Sequence, residues 1–332
     1  MSGDRPELGL GLQTDKRPGE YGPLARAAEQ AGFAVVTTFN DLWFQPALPP
    51  LLEIARSTTS VRVGPSCLNP FTLHPVEIAG QIAALDAASD GRAFLGLARG
   101  AWLASIGVDQ SDPVAAIREA WEVVRRLLAA NGDGFEGTRF SLPRGARLCY
   151  PVRRSSVPLL VGTWSPRLAA FAGDAAEELK VGGCANPDVV PVMREWIRNA
   201  DVRIVLGAVT VVDDDAARAR TIARREVAMY LVVVAELDPT ASLDPELVVR
   251  VRALVDAGDH EGAGSLIPDD VLDRFAFAGS PAQVAGHAEA VFAAGAGRVD
   301  FGTPHGAPER RGVELLCREV LPRLRGLVVA ER

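Results

Sequence analysis

An arginine closes one of the most apolar runs in the chain. The segment GRAFLGLARGAW, residues 91 to 102, contains an apolar run typical of a buried strand, and Arg99 directly follows that run. A guanidinium at the end of a buried strand suits the floor of a pocket, where its planar fork would hold an anion or a polar ring edge. An ion pair across the rim with Asp41 or Glu77 would explain the same residue. The sequence leaves both interpretations open, and Arg99 is a candidate catalytic and cofactor-binding residue.

Two polar residues, Asn40 and Asp41, stand at the end of another apolar run, AVVTTFN, at residues 34 to 40. Asn40 would donate or accept a hydrogen bond at the edge of a cofactor ring. Asp41 would act as a general acid if burial raised its pKa. An aspartate in this position also commonly caps the helix that follows, so the two roles stay open for Asp41.

A glycine pair marks the end of a third apolar run, ELKVGGCA, at residues 178 to 185. Gly182 and Gly183 would let backbone N–H groups approach a phosphate, and Asn186 stands where the next helix begins. A helix N-terminus adds a dipole that favours an anion. A tight turn with Asn186 as an ordinary N-cap is the alternative.

Single lysine, histidine and cysteine residues offer further chemistry. Lys180 lies on the sixth apolar run, where a Schiff-base aldolase would carry its nucleophile. His305 follows the last run and is a catalytic candidate by position. His74 precedes Pro75 at a predicted helix start, and we expect it to be structural. Cys67 and Cys184 are expected to be small buried residues and not nucleophiles.

The composition excludes several classes of protein. The 332 residues are 48% hydrophobic and 23% charged, with a net charge of −7, so no basic field is available for nucleic acid or an acidic membrane. Four cysteines and four histidines lack metal-ligand spacing, and no metal site is expected. We find neither a signal peptide nor an apolar run long enough to span a bilayer, which predicts a cytoplasmic protein.

The elements that position these residues alternate between apolar runs and amphipathic segments. Near-continuous apolar strands alternating with helices indicate a parallel sheet covered on both faces. Eight strands over this length predict a (β/α)8 barrel, whereas a doubly wound sheet is disfavoured because the first strand lacks a GxGxxG turn. The predicted strands are residues 8–14, 34–40, 61–69, 93–100, 158–164, 178–185, 203–212 and 298–306.

The barrel is predicted to be one domain, residues 1–332, with two insertions. Residues 134–157 have the character of a hairpin after the fourth helix. Residues 213–277 form a longer, mostly helical insertion between the seventh strand and the helix that opens near GSPAQ. Two of the predicted helices end on Gly32 and Gly91, which suit a left-handed C-cap.

The active site of such a barrel lies where its strands end. Reading the strand ends collects a polar, glycine-bearing and aromatic rim that suits a planar ligand with an anionic group. Trp43, Trp102 and Trp164 would line a substrate pocket there, although tryptophans on a barrel rim also serve as plain packing.

Three longer segments of the chain resemble the luciferase-like flavin and deazaflavin oxidoreductases. They are NPFTLHPVEIAGQIAALDAASDGRAFLGLARGAWL, PLLVGTWSPRLAAFAGDAAEELKVGGCANP and FAGSPAQVAGHAEAVFAAGAGRVDFG. Within this family the sequence is similar to the branch of methylenetetrahydromethanopterin reductase, which uses the deazaflavin coenzyme F420.

The resemblance implies a barrel, a homodimer and a cofactor ring lying across the strand ends. It also implies a non-prolyl cis peptide at Ser66–Cys67 beneath that ring. The strand ends and this resemblance together give the expected cofactor-binding positions, which are Gln13, Asn40, Ser66, Cys67, Asn69, Arg99, Gly100, Thr163, Gly182, Gly183, Ala185 and Asn186.

The resemblance predicts an F420-dependent oxidoreductase that transfers a hydride to or from the cofactor C5 carbon, with reduction of a C=C or C=N bond as the expected reaction. Ala101 stands where the family's glucose-6-phosphate dehydrogenases carry a catalytic glutamate, which disfavours a sugar phosphate. An FMN-dependent monooxygenase that receives reduced flavin from a separate reductase is the main alternative. A Schiff-base aldolase and a non-catalytic flavin-binding barrel remain as further alternatives.

Overall fold

The computed structural model describes residues 5–327; residues 1–4 and 328–332, the two ends of the predicted domain, lie outside the described residues. The strands in chain order are β1 (Glu7–Leu12), β2 (Val35–Thr38), β3 (Arg62–Pro65), β4 (Leu95–Ala98), β5 (Phe135–Glu136), β6 (Ser141–Leu142), β7 (Leu159–Gly162), β8 (Glu178–Gly182), β9 (Arg203–Val212), β10 (Ala276–Gly279) and β11 (Arg298–His305).

Eight of these strands form a parallel, nearly closed barrel. They pair in the order β3, β2, β1, β11, β9, β8, β7, β4. Isolated parallel bridges, Val63 with Ala93 and Leu68 with Leu97, join β3 to β4 and complete the circle. The barrel predicted from the alternation of apolar runs and helices is therefore confirmed.

Helices cover the outside of the barrel. They are α1 (Tyr21–Ala31), α2 (Leu48–Ser57), α3 (Pro75–Ala88), α4 (Pro113–Leu128), α5 (Pro166–Ala175), α6 (Val189–Ile197), α7 (Ala216–Val234), α8 (Pro245–Asp256), α9 (His260–Ser265), α10 (Asp269–Phe275), α11 (Pro281–Ala293), α12 (Glu309–Leu315) and α13 (Leu321–Leu324). A 3-10 turn spans Leu103–Ile106, and a π-helical turn, Leu316–Val320, joins α12 to α13. No helix within residues 5–327 combines the length and apolar character needed to cross a membrane.

Local sequence signals explain several helix ends. Gly32 takes a φ of 107° and caps α1 in the left-handed conformation, as predicted. The predicted cap at Gly91 is displaced, because α3 ends at Ala88 and Ser89 forms its C-cap. His74 caps the N-terminus of α3 by accepting a hydrogen bond from the Val76 N–H, which confirms its structural role.

Two excursions interrupt the alternation. A short antiparallel hairpin, β5 and β6, lies between α4 and β7. Helices α8 to α10 follow α7, and then comes β10, which the sequence analysis did not identify as a strand. It pairs in parallel with the second half of β9, from Val209 to Val212. Its four residues are all buried, and so short an apolar run cannot be distinguished from a helix end by periodicity.

Candidate active site

The C-terminal ends of the barrel strands bring the predicted site residues other than His305 to one mouth. Gln13 follows β1, the Asn40–Trp43 segment follows β2, and Ser66 to Asn69 follow β3. Arg99 to Trp102 follow β4, Thr163 and Trp164 follow β7, and Gly182 to Asn186 end and follow β8. Parallel strands of a barrel end on one face, so loops far apart in sequence share a rim.

Asp41 is held at this mouth by a side chain from the neighbouring strand end. Gln13 Nε2 donates a hydrogen bond to Asp41 Oδ2 over 2.9 Å, and Gln13 Oε1 accepts from the Thr14 N–H over 2.9 Å. Burial raises the pKa of Asp41, and the Gln13 hydrogen bond acts in the opposite direction. Asp41 caps no helix, because α2 begins after Ala47 without a side-chain cap. The carboxyl group is thus placed for acid–base chemistry.

Asn40 is occupied within the same loop. Its Oδ1 accepts a hydrogen bond from the Ala47 N–H over 3.3 Å, which shapes the entry into α2. The side-chain amide group therefore has one of its two ends committed to the fold.

Arg99 is an exposed cation at the rim. Within residues 5–327 its guanidinium makes no hydrogen bond or ion pair, so the predicted alternative of a pair with Asp41 or Glu77 is not found there. Gln110 Nε2 donates to the Arg99 and Gly100 carbonyl oxygens over 2.6 and 3.1 Å, which fixes the backbone of this loop. A fixed backbone with a free guanidinium suits the binding of an anionic ligand group.

The Ser66–Cys67 peptide bond is cis, as the resemblance implied. The Ser66 hydroxyl is buried and has no hydrogen-bond partner in the described part of the chain. Burial raises the pKa of the Cys67 thiol to about 11, which keeps it neutral. Cys67 packs against two neighbouring strands, where a Cβ on Gly96 or Gly162 would come within 3.2 or 2.9 Å of its sulfur. Cys67 is therefore a packing residue.

Asn69 builds the next turn of the rim. Its Oδ1 accepts hydrogen bonds from the N–H groups of Phe71 and Thr72 and from the Thr72 hydroxyl. Gly100, with a φ of 81°, lies against it so closely that a Cβ would come within 3.2 Å of the Asn69 amide. Asn69 thus supports the loop that carries Arg99.

The predicted phosphate segment is open at one end and closed at the other. A Cβ on Gly182 would meet nothing within 4 Å, so its backbone borders open space. At the other end, the Ala185 N–H donates to the Arg274 carbonyl oxygen over 2.9 Å. Asn186 Nδ2 donates to Asp238 and Thr240 over 3.2 and 2.8 Å. Only the glycine end remains accessible to a ligand.

Aromatic side chains rim the mouth at different depths. Trp43 is 83% exposed and Trp102 is 37% exposed, and both residues have positive φ angles. Trp164 lies deeper and donates from Nε1 to the Gly182 carbonyl oxygen over 3.0 Å. Beside it, the Thr163 hydroxyl accepts from the Ser165 N–H over 2.9 Å.

Tyr230 is a residue of this mouth that the sequence analysis missed. It lies on α7, and its ring contacts the Trp102 ring edge-on at a centroid distance of 5.9 Å. Burial raises its pKa, and the nearby Asp41 carboxylate raises it further. No local pattern marks a tyrosine near the C-terminal end of an insertion helix, so only the tertiary contact identifies it.

His305 lies inside the fold and not in the open mouth. The side chain is fully buried, with Nδ1 3.2 Å from Glu309 Oε1 and Nε2 3.1 Å from the Phe301 carbonyl oxygen. Lys16 lies 3.1 Å from the other oxygen of Glu309. Both ring nitrogens of His305 thus have protein partners.

Lys180 is committed to a buried ion pair. Its Nζ lies 2.7 Å from Asp300 Oδ2, and Arg298 Nε lies 2.8 Å from the other carboxylate oxygen. Burial alone would raise the pKa of Asp300, but the charges of Arg298 and Lys180 lower it to about 2. A Schiff-base lysine needs an amino group that is free to reach the substrate, whereas Lys180 Nζ is buried and engaged by this carboxylate. The geometry disfavours the aldolase alternative.

The residues at the mouth suit a planar, anion-bearing cofactor. They present an orphaned buried hydroxyl on Ser66, a free guanidinium on Arg99 and an open backbone at Gly182. Within residues 5–327 no group of three or more His, Cys, Asp or Glu side chains is arranged to hold a metal ion.

The chain is similar in sequence to known proteins over most of its length. A family model described as luciferase-like monooxygenase matches residues 4–298. The 5,10-methylenetetrahydromethanopterin reductase of Methanopyrus kandleri is 26% identical over 343 residues, which cover 95% of this chain and 97% of the relative. An F420-dependent glucose-6-phosphate dehydrogenase of Rhodococcus erythropolis is 26% identical over 97% of this chain and 99% of its own.

Solved structures share the fold over nearly the whole chain. The coenzyme F420 dependent tetrahydromethanopterin reductase from Methanopyrus kandleri superposes with a TM-score of 0.86 at 26% identity, covering 96% of this chain and 99% of that one. A long-chain alkane monooxygenase superposes with a TM-score of 0.71 at 14% identity, covering 98% of this chain and 93% of that one.

Proposed function

Because the chain belongs to the luciferase-like monooxygenase family, we propose that this oxidoreductase depends on coenzyme F420 and moves a hydride between the deazaflavin C5 carbon and a small or medium-sized organic substrate. The reaction we propose is reduction of a C=C or C=N bond. The full-length similarity to a reductase whose solved structure is described as coenzyme F420 dependent carries this proposal.

Three features of the mouth would hold the cofactor. The Arg99 guanidinium would bind an anionic group or the polar edge of the ring, and the Ser66 hydroxyl would gain the hydrogen-bond partner it lacks. The backbone at Gly182 would allow close approach of a ligand, because no side chain fills the space beside it. Reduced F420 supplies a hydride, that is, two electrons and one hydrogen nucleus.

The chain must supply the proton that completes the reaction. When a hydride adds to the carbon of a C=N bond, the nitrogen takes up one proton; in a C=C bond the second carbon does so. Asp41 is the proton donor we assign, because burial raises the pKa of its carboxyl group and Gln13 orients it. Trp43 and Trp102 would shield the substrate from water.

A monooxygenase using reduced FMN and O2 is the second candidate, favoured by the description of the matching family model. It would require a separate reductase to supply reduced flavin. We further propose that the protein is a cytoplasmic homodimer. Size-exclusion chromatography with light scattering tests the dimer, and a monomer at micromolar concentration would refute it.

Anaerobic turnover tests the proposed activity. Reduced F420 is mixed with the protein and either 2-cyclohexen-1-one or 3,4-dihydroisoquinoline, and absorbance at 420 nm reports formation of oxidised F420. We expect substrate-dependent oxidation at a rate proportional to protein concentration. Oxygen consumption with reduced FMN, combined with no reaction of reduced F420, would establish the second candidate instead.

A further inference from the structure

The phenol of Tyr230 stands apart from the two other tyrosines of the chain. Tyr21 accepts a hydrogen bond from the Lys16 N–H over 3.0 Å, and Tyr150 donates to the Gly80 carbonyl oxygen over 3.4 Å. The Tyr230 hydroxyl makes no hydrogen bond within residues 5–327, although its residue is half-buried. A half-buried hydroxyl without a protein partner is available to a ligand.

Tyr230 lies beside the mouth, with its ring against one of the strand-end loops. Its ring lies edge-on against Trp102, which follows β4. The charge of Asp41, which follows β2, raises the pKa of Tyr230. One helical turn along α7, Val234 closes on the glycine turn after β8, since a Cβ on Gly183 would lie 3.1 Å from Val234 Cγ2. Residues four apart share a helix face, so this face of α7 covers the mouth.

The geometry points to Tyr230 as a substrate-binding residue whose hydroxyl donates a hydrogen bond to a carbonyl oxygen or imine nitrogen of the substrate. The substrate class is then a planar unsaturated compound that carries such an acceptor, held beside the Trp102 ring near the Asp41 carboxyl. This inference rests on the proposed function, since it assigns the substrate of that same site. Burial and the Asp41 charge both raise the pKa of Tyr230, which keeps the hydroxyl protonated as a donor.

Removal of one hydroxyl tests the assignment. Tyr230→Phe keeps the ring against Trp102, and Tyr150→Phe is the matched control, because the Tyr150 hydroxyl donates to the Gly80 carbonyl oxygen of α3. With reduced F420 and 2-cyclohexen-1-one, we expect Tyr230→Phe to raise KM about tenfold, the scale of one lost hydrogen bond, with little change in kcat. The control is expected to match the wild type. A KM within twofold of the wild type for Tyr230→Phe would overturn the assignment.

A second readout needs no turnover. Tyrosine labelled with carbon-13 at Cζ gives three signals, which the Phe variants assign, and 2-cyclohexen-1-one is then titrated into the protein with and without F420. We expect the Tyr230 signal to move and the signals of Tyr21 and Tyr150 to stay. A Tyr230 signal that stays fixed at saturating probe overturns the inference even where F420 binds. Absence of F420 binding refutes the proposed function separately, and the titration without F420 then decides the inference.

Discussion

The charged residues in the barrel and at its mouth differ in whether they already have protein partners. Lys180 and Asp300 neutralise each other in the barrel interior, whereas Arg99 has no partner in the described part of the chain. Because this guanidinium is unpaired, its removal is expected to change the stability of the fold little. We therefore propose that Arg99 contributes to ligand binding.

Replacement of Arg99 tests that contribution. We expect Arg99→Gln to weaken F420 binding by about 10- to 100-fold, because a hydrogen bond to a charged group is worth about 1.5–3 kcal/mol. Fluorescence quenching of F420 measures the dissociation constant. Arg153→Gln is the control, since Arg153 is an exposed arginine that pairs with Asp90 away from the mouth. An unchanged dissociation constant for Arg99→Gln would remove Arg99 from the cofactor site.

Asp41 predicts a pH dependence of stability. Its folded pKa is raised, so the folded protein holds this proton more tightly than the unfolded chain does. The resulting stabilisation is complete below the ordinary aspartate pKa and is lost as pH rises through the folded value. We therefore expect Asp41→Asn to be more stable than the wild type at pH 8, with the difference shrinking toward pH 4. Urea unfolding at several pH values measures this, and a difference independent of pH would contradict the account.

Sequence reasoning found the side chains that lie at strand ends and missed those that depend on distant contacts. Arg99 and Asp41 follow strands directly, so position alone suggested them. The partner of Lys180 is 120 residues away, and Tyr230 enters the mouth from an insertion helix. Pairings of this kind are set by how the barrel closes, which no local pattern encodes.

At the scale of elements, glycines decide how closely β3, β4 and β7 approach. A Cβ on Gly96 would collide with the Pro65 carbonyl oxygen and come within 3.2 Å of the Cys67 sulfur. A Cβ on Gly182 would meet nothing within 4 Å. The first glycine is therefore needed for packing, whereas the second borders open space, and we propose that it gives a ligand access.

The matched substitutions Gly96→Ala and Gly182→Ala separate these purposes. We expect Gly96→Ala to lower the free energy of unfolding by about 1–3 kcal/mol, the usual range for overpacking. Gly182→Ala is expected to change it by less than about 0.5 kcal/mol and to weaken F420 binding. Urea unfolding and F420 titration measure the two effects. Equal destabilisation by both substitutions would show that Gly182 is needed for packing, as Gly96 is.

Element prediction succeeded where periodicity and caps agreed and failed where an element was short. Helix α1 ends at the expected glycine, seven of the eight barrel strands lie within the predicted runs, and β1 begins one residue before its run, at Glu7. The strand β10 was missed: its first two residues fell in the predicted helical insertion, residues 213–277, and its last residue fell at the predicted start of the next helix. A buried run of four residues is too short to show a period. Its pairing with β9 depends on tertiary structure and is not encoded locally.

At the scale of the whole molecule, the barrel was predictable because alternation of apolar strands and helices permits few closed arrangements. The choice of cofactor was not predictable in the same way, since F420 and FMN share a planar ring and an anionic tail. The same fold occurs in a coenzyme F420 dependent reductase and in a long-chain alkane monooxygenase. The identity of the cofactor therefore decides which of the two chemistries this barrel performs.

Parallel titration of the purified protein with oxidised F420 and with FMN, followed by fluorescence quenching, tests the identity of the cofactor most directly. The account predicts saturable binding of F420 at least tenfold tighter than that of FMN, and loss of this preference in Arg99→Gln. Tighter binding of FMN, or binding of neither, would contradict it.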